Sequence, residues 1–323
     1  VTFTADWYDK RTSGMLMSMQ VPGYAGDSAP IGNVGTMSNS GVELDLSYRD
    51  NYGDFSWNIS ANATYTKNVL TELGDDATSL YGSSHKIGQL TRGIVGLPFP
   101  YFYGHKSDGI FQNMAEVEAY VNEKGEKIMP NAEPGDVRFV DVDGNGEIND
   151  EDKTYIGKGI PDWVFGFNIG FEWKGFDFSM LLQGQLGAQA YNVSRRIDLG
   201  AVNLPKYMLN RWTGEGTSNK YPKFEVGDAT NYVVSDVWVE DASFLRARNV
   251  QFGYTLPQKI TRKFFVQRLR VYAQAENLFT LTKYQGCDPE VTGGNSSYGT
   301  EVGIDRGVYP QSRTFSVGVN LTF

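Results

Sequence analysis

The sequence is poor in the residues on which most enzyme and metal chemistry depends. Its one cysteine, Cys287, excludes an intramolecular disulfide framework and any cysteine-built metal cluster. Its two histidines, His85 and His105, each sit in a loop or strand end with no nucleophile motif beside them, so the chain is read as a non-enzyme with no catalytic residues. No run approaches the roughly 18 to 20 consecutive apolar residues of a membrane-spanning helix. The longest candidate, around Ser179 to Leu182, is far too short. Positive charge is in deficit: 29 Lys and Arg stand against 38 Asp and Glu, a net charge of -9. That balance argues against nucleic acid as a partner, since binding a phosphate backbone needs a broad basic surface. No basic and apolar leader precedes Val1, which already lies in a strand-like pattern, and the chain is expected to be a piece of a longer protein.

What is abundant is the aromatic side chain, at 14% of residues, together with 37 glycines. A mean hydropathy of -0.38 is that of a soluble protein, but the average hides any surface in which every second residue is polar. Such alternation is plain from Trp163 to Leu186. Trp163, Phe165, Phe167, Ile169, Phe171 and Trp173 fall on one face and Val164, Gly166, Asn168, Gly170 and Glu172 on the other. After Lys174-Gly175 the pattern resumes, with Phe176, Phe178, Met180 and Leu182 opposite Asp177, Ser179, Gln183 and Gln185. The spacing predicts a hairpin of two strands, each of the 9 to 11 residues that cross a bilayer when tilted.

The pattern recurs at Val1–Trp7, Val42–Tyr48, Phe55–Tyr65, Val250–Tyr254, Leu269–Ala275 and Thr314–Phe323, giving about eight spans. Upstream of Val250, Arg246 and Arg248 fall in the phase of the apolar face, which predicts a bulge or a change of environment there. Connections alternate between short ones at 50–54, 174–175 and 256–268 and very long ones at 11–40, 68–162, 187–237 and 283–311. That asymmetry belongs to outer-membrane barrels, with short periplasmic turns and long extracellular loops. The fold predicted is all-β, a transmembrane antiparallel barrel. A closed eight-stranded barrel has a narrow interior packed with side chains, whereas these inward faces are rich in Gly, Ser, Asn, Gln and charge, so the chain is expected to line part of a wider lumen.

The C-terminal Ser312–Phe323, an alternating strand ending on Phe, resembles the assembly signal of bacterial outer-membrane proteins. Seven further segments, in order and spacing, resemble the last third of SusC/RagA-type TonB-dependent transporters. They are Tyr103–Gln112, Pro134–Phe139 leading into Asp141–Gly146, Gly157–Trp163, Arg211–Thr213, Asp241–Arg246, Gly253–Pro257 and Ala275–Thr280. The resemblance implies the last eight or so strands of a barrel of about twenty-two. It also implies the bacterial outer membrane and its lipid, a lumen plug and a TonB-contacting segment that lie outside this sequence, and a SusD-like surface lipoprotein as partner. It extends to a dimer of transporter–lipoprotein pairs and to an oligosaccharide or peptide as cargo. The rival readings are a passive outer-membrane porin or adhesin barrel and, further off, a secreted calcium-binding β-sandwich lectin.

Asp141 to Asp152 carries oxygen donors at positions 1, 3, 5 and 12, Gly146 at position 6 and Ile148 at position 8, the spacing of the twelve-residue calcium loop. Asp141, Asp143, Asn145 and Asp152 are the candidate side-chain ligands, Glu147 lends its position-7 carbonyl, and Asn149 acts directly or through water. Asp152 stands where Glu is usual, as in dockerin-like loops. The expectation is a structural calcium stiffening a long extracellular loop, preceded by a short helix over 114–122; the rival is a solvated Asp/Asn/Gly turn. For cargo, ring stacking on sugars or peptide side chains points to the loop aromatics Tyr101, Tyr103, Trp212 and Tyr221.

Overall fold

The computed structural model describes residues 1–18, 31–74, 79–82, 84–85, 87–194, 203–227, 230–291 and 299–323. Eight long strands pair antiparallel in chain order: β1 (Thr2–Ser18), β2 (Ile31–Tyr52), β3 (Phe55–Leu73), β4 (Trp163–Trp173), β5 (Phe176–Leu186), β6 (Phe244–Thr255), β7 (Arg268–Glu276) and β8 (Thr314–Thr322). A short strand, Thr280–Thr282, continues the pairing on β6 beyond the end of β7. The β4–β5 turn is as tight as the spacing predicts. Lys174 at φ 46° and Gly175 at φ 91° both take the left-handed conformation that matches the twist of the flanking strands.

Register fixes which side each residue faces. Leu46, Ala61, Phe167 and Leu182 share one cross-strand row, while Asp45, Asn62, Gly166, Gln183 and Arg246 share the neighbouring row on the opposite face. Nothing described covers the apolar face: Trp7 is 72% exposed, Phe315 71% and Trp173 49%. A β-sandwich would bury that face against a second sheet. The observed sheet leaves it bare and turns its polar face inward, which removes the lectin reading.

Pairing between β5 and β6 shifts by one residue, from Leu181 opposite Asn249 to Leu182 opposite Ala247, so Arg248 is the extra residue of a bulge. The bulge reverses the alternation. Arg246 and Arg248, which an unbroken strand would aim outward with Val250 and Phe252, lie on the polar face instead.

The long connections differ from the expected structureless excursions in two ways. The first, predicted over 11–40, is mostly strand, since β1 and β2 stay paired as far as Ser18 opposite Ile31. Backbone pairing needs no apolar alternation once the strands leave hydrocarbon, so the sequence pattern stops before the ladder does. The others fold together. One buried cluster draws Leu90, Phe102 and Ile156 from the second connection, Tyr191, Met208 and Trp238 from the third, and Ile304 from the fourth. Short sheets frame it, Thr154–Gly157 with Tyr101–Gly104, and Gln189–Asn192 with Val239–Asp241. The expected helix is α1, Met114–Ala119, with the Asn113 side chain accepting from the Glu116 N–H at 3.0 Å. It ends before Asn122 because Val121 turns back to bridge Lys127.

Candidate functional site

The polar face of the sheet is a wall whose side chains are tied to one another. Arg270 on β7 donates Nε to Asp177 Oδ1 on β5 at 2.9 Å and Nη2 to Gln251 Oε1 at 2.9 Å, and its guanidinium lies 5.0 Å from the Tyr272 ring centre. Gly253 permits this, because a Cβ there would stand 2.6 Å from both Arg270 and Asp177. Tyr8 lies across Gly41 in the same manner and shares a 2.8 Å hydrogen bond with Thr66. The wall is therefore polar, and these side chains satisfy one another across it.

Higher on the wall, the two arginines turned inward by the bulge hold a loop. Arg246 is buried and donates to Asp288 at 2.6 Å, to Glu290 at 2.9 Å and to Thr280 at 2.9 Å. Arg248 donates to Glu290 at 2.5 Å and to Gln183 at 2.9 Å. Burial pushes the Asp288 carboxyl up, but the Gln311 and Glu290 N–H groups and the Arg246 guanidinium outweigh it and hold the group below its ordinary range. This clamp folds residues 284–291 and Gln311 onto the lumen side. Sequence reasoning singled out the arginines for their phase; it had no signal for their carboxylate partners.

The four aromatic residues expected to meet cargo divide into two pairs. Tyr101 and Tyr221 are buried, at 1% and 5% exposed, and this corrects the expectation for them: neither ring has surface to give a solute. Burial pushes the Tyr101 hydroxyl up to about 12. Tyr221 stacks 5.0 Å from Tyr207, and its hydroxyl accepts from Gln285 at 2.9 Å. Tyr103 and Trp212 keep part of their rings open. Arg92 stacks on Tyr103 at 4.6 Å, and Trp212 packs over Gly135, whose φ of 93° and absent Cβ leave room for the indole.

Behind Trp212 is a second buried charge group. Asp136 accepts from Asn231 at 2.8 Å and lies 3.3 Å from Lys223, which also donates to Glu133 at 2.7 Å. Burial pulls Lys223 down, but the Glu133 hydrogen bond and the Asp136 charge hold it above its ordinary range. These contacts fasten the segment around Pro134 and Gly135 to the rest of the cap.

The acidic loop has its donors gathered. One oxygen each from Asp141, Asp143 and Asp152 lies within 4.8 Å of the others. Asp141 accepts from the Gly144 and Gly146 N–H groups at 2.7 and 2.8 Å, Asn145 Oδ1 from the Glu147 N–H at 2.9 Å, and Gly146 bends at φ 90°. Asp152 is fully buried, capped by the Val142 and Asn149 N–H groups at 2.8 and 2.7 Å. Burial pushes the Asp141 carboxyl up, yet the glycine N–H groups hold it below its ordinary range, so it is anionic at neutral pH. The Glu147 side chain points to solvent, which leaves its carbonyl as the group it has to offer.

The sequence profile of the family described as "TonB dependent receptor-like, beta-barrel" matches residues 1–278. TonB-dependent receptor P3 of Formosa agariphila is 32% identical over 326 residues, covering 98% of this chain and 32% of that protein. TonB-dependent receptor SusC of Bacteroides thetaiotaomicron is 29% identical over 330 residues, covering 100% of this chain and 30% of that protein. The solved RagAB peptide transporter superposes with a TM-score of 0.75 at 26% identity, over 99% of this chain and 33% of that one. The chain spans about a third of the length of these relatives. It belongs to the family of TonB-dependent receptor-like β-barrels. The bare apolar face of the sheet is accordingly the lipid face of a transmembrane barrel, the polar face lines its lumen, and the long connections are extracellular.

Proposed function

We propose that the chain forms part of the barrel wall and the extracellular cap of a TonB-dependent importer of oligosaccharides or peptides across the bacterial outer membrane. A SusD-like lipoprotein closes it from outside, TonB drives it through a segment beyond this chain, and transporter–lipoprotein pairs associate as dimers. The observation that carries this reading is the pairing of a polar lumen wall with a loop folded inward onto it by Arg246 and Arg248. Both Tyr103 and Trp212 offer ring surface for stacking on cargo. The full-length protein in cells should take up labelled oligosaccharide or peptide only while the proton-motive force stands, and should co-purify with a lipoprotein. Uptake that survives an uncoupler, with steady ion conductance in planar bilayers, would instead mark a porin.

Calcium is the cation whose hardness and size suit the oxygen set of Asp141, Asp143, Asn145 and Asp152 with the Glu147 carbonyl. Bound there, it would offset two of the three carboxylate charges of Asp141, Asp143 and Asp152 and stiffen the loop against the neighbouring 120–130 turn. Elemental analysis before and after chelation tests this. One equivalent of calcium is expected in the native protein and none after Asp141→Asn with Asp152→Asn.

A further inference from the structure

The turn joining β6 to β7, residues 256–267, departs from the rest of the chain in charge and in exposure. In a protein of net charge -9 it contains no Asp or Glu, yet it carries Lys259, Arg262 and Lys263, all three exposed. Among the described residues none of the three enters an ion pair. Beside them stand Ile260, 49% exposed, Phe264 at 71% and Phe265 at 91%. Helix α2 (Gln258–Thr261) runs into a single 3-10 turn, Arg262–Phe264, and Phe265 closes it at φ 59°. Glycine or asparagine adopts that left-handed conformation at lower cost than a bulky aromatic, and water rewards neither ring. Something other than folding of this turn accounts for two phenylalanines there.

Position names the occupant. The turn lies at the short-turn end of the barrel, directly below a lipid-facing aromatic band in which Tyr254 packs 4.5 Å from Phe176. It is continuous with a surface that already meets acyl chains. We propose that this turn is a lipid foot, with Phe264 and Phe265 set among the headgroups of the periplasmic leaflet and Lys259, Arg262 and Lys263 holding the phosphates of anionic phospholipid. Basic side chains at the interface pair with anionic headgroups while aromatic rings occupy the boundary between headgroup and chain, so one short segment satisfies both zones. The inference rests on the placement of the barrel in the membrane and is independent of import and of cargo.

The test uses the full-length transporter, free of other cysteines, in nanodiscs of phosphatidylethanolamine with phosphatidylglycerol. A spin label at Phe265→Cys is expected to collide with dissolved oxygen more than with a water-soluble nickel chelate, whereas a label at Tyr309→Cys on the extracellular side shows the reverse. Co-purified phosphatidylglycerol should fall at least about fivefold in the triple variant Lys259→Glu, Arg262→Glu, Lys263→Glu, a loss equal to one basic residue's contribution near an anionic surface. A folded barrel, checked by its heat-dependent gel shift, keeps that comparison valid. A label open to the nickel chelate, or immobilised against protein and shielded from both reagents, would overturn the foot. A lipid-exposed label with unchanged phosphatidylglycerol would overturn the anionic headgroup assignment.

Discussion

Replacing Arg246 with methionine isolates what the lumen clamp does. The arginine is 2% exposed on its side chain and Asp288 4%, so the substitution strands a carboxylate in a dry site rather than releasing it to water. Breaking one partner of a buried pair costs about 3–5 kcal/mol. Asp288 keeps its hydrogen bonds from the Glu290 and Gln311 N–H groups, at 2.9 and 3.0 Å, which places the loss near the lower end, about 3 kcal/mol. The barrel ladder does not depend on these contacts, so the cost falls on the loop. At 1.4 kcal/mol per decade, local opening should rise roughly 100-fold. Hydrogen exchange of the full-length protein reads this directly: the Glu290 and Gln311 amides should speed up by that factor. The Val137 amide, bonded to Asn231 deep in the cap, should not change. Adding Asp288→Asn removes the stranded charge and should recover much of the loss. Unchanged exchange at Glu290 and Gln311, or a double variant as open as the single one, would refute the clamp.

The two faces of β4 give a paired test. Ile169→Arg at mid-strand should cost about 2–4 kcal/mol of barrel stability in urea titrations, while the adjacent Asn168→Arg on the lumen side should be close to neutral. Gly41→Val should lower the yield of folded barrel and cost about 2–3 kcal/mol, because a Cβ at Gly41 would sit 2.0 Å from the Tyr65 carbonyl oxygen, a backbone atom that cannot swing away. The clamp should also answer to acid with a defined sign. Since Asp288 is held below its ordinary value of 3.8, its contribution is complete above that pH and disappears as the pH falls through the folded value. Exchange in the 288–311 segment, corrected for intrinsic rate, should be flat between pH 5 and 7 and rise only below about 4.

What was legible in the sequence is what two solvents impose on alternate residues. Lipid on one side and water on the other force a period of two, so Trp163 to Leu186 announced its strands, its turn and the facing of every side chain. The gathering of the Asp141, Asp143 and Asp152 oxygens was legible because those residues are near neighbours in the chain. The bulge was half legible, since arginines in the lipid phase demanded some escape, but Asp288 and Glu290 gave no sign that they supplied it. Tyr101 and Tyr221 could not be told from cargo contacts by local sequence. An aromatic ring in a loop looks the same whether it packs on Tyr207 or waits for a sugar. The upper halves of β1 and β2 were missed for a related reason, because ladders in water leave side chains free to be anything.

Those long strands make the stretch of barrel rim that this chain contributes uneven. At 22 residues β2 extends roughly 70 Å, against roughly 36 Å for the 11 residues of β4, so one flank of the opening is a stiff parapet while the other passes at once into folded loops. A protease sampling the cell surface would find few nicking points along the parapet, where the backbones of β1, β2 and β3 are paired with one another. Anything that docks over this stretch meets a raised edge of paired strands on one side and a packed bed of loops on the other.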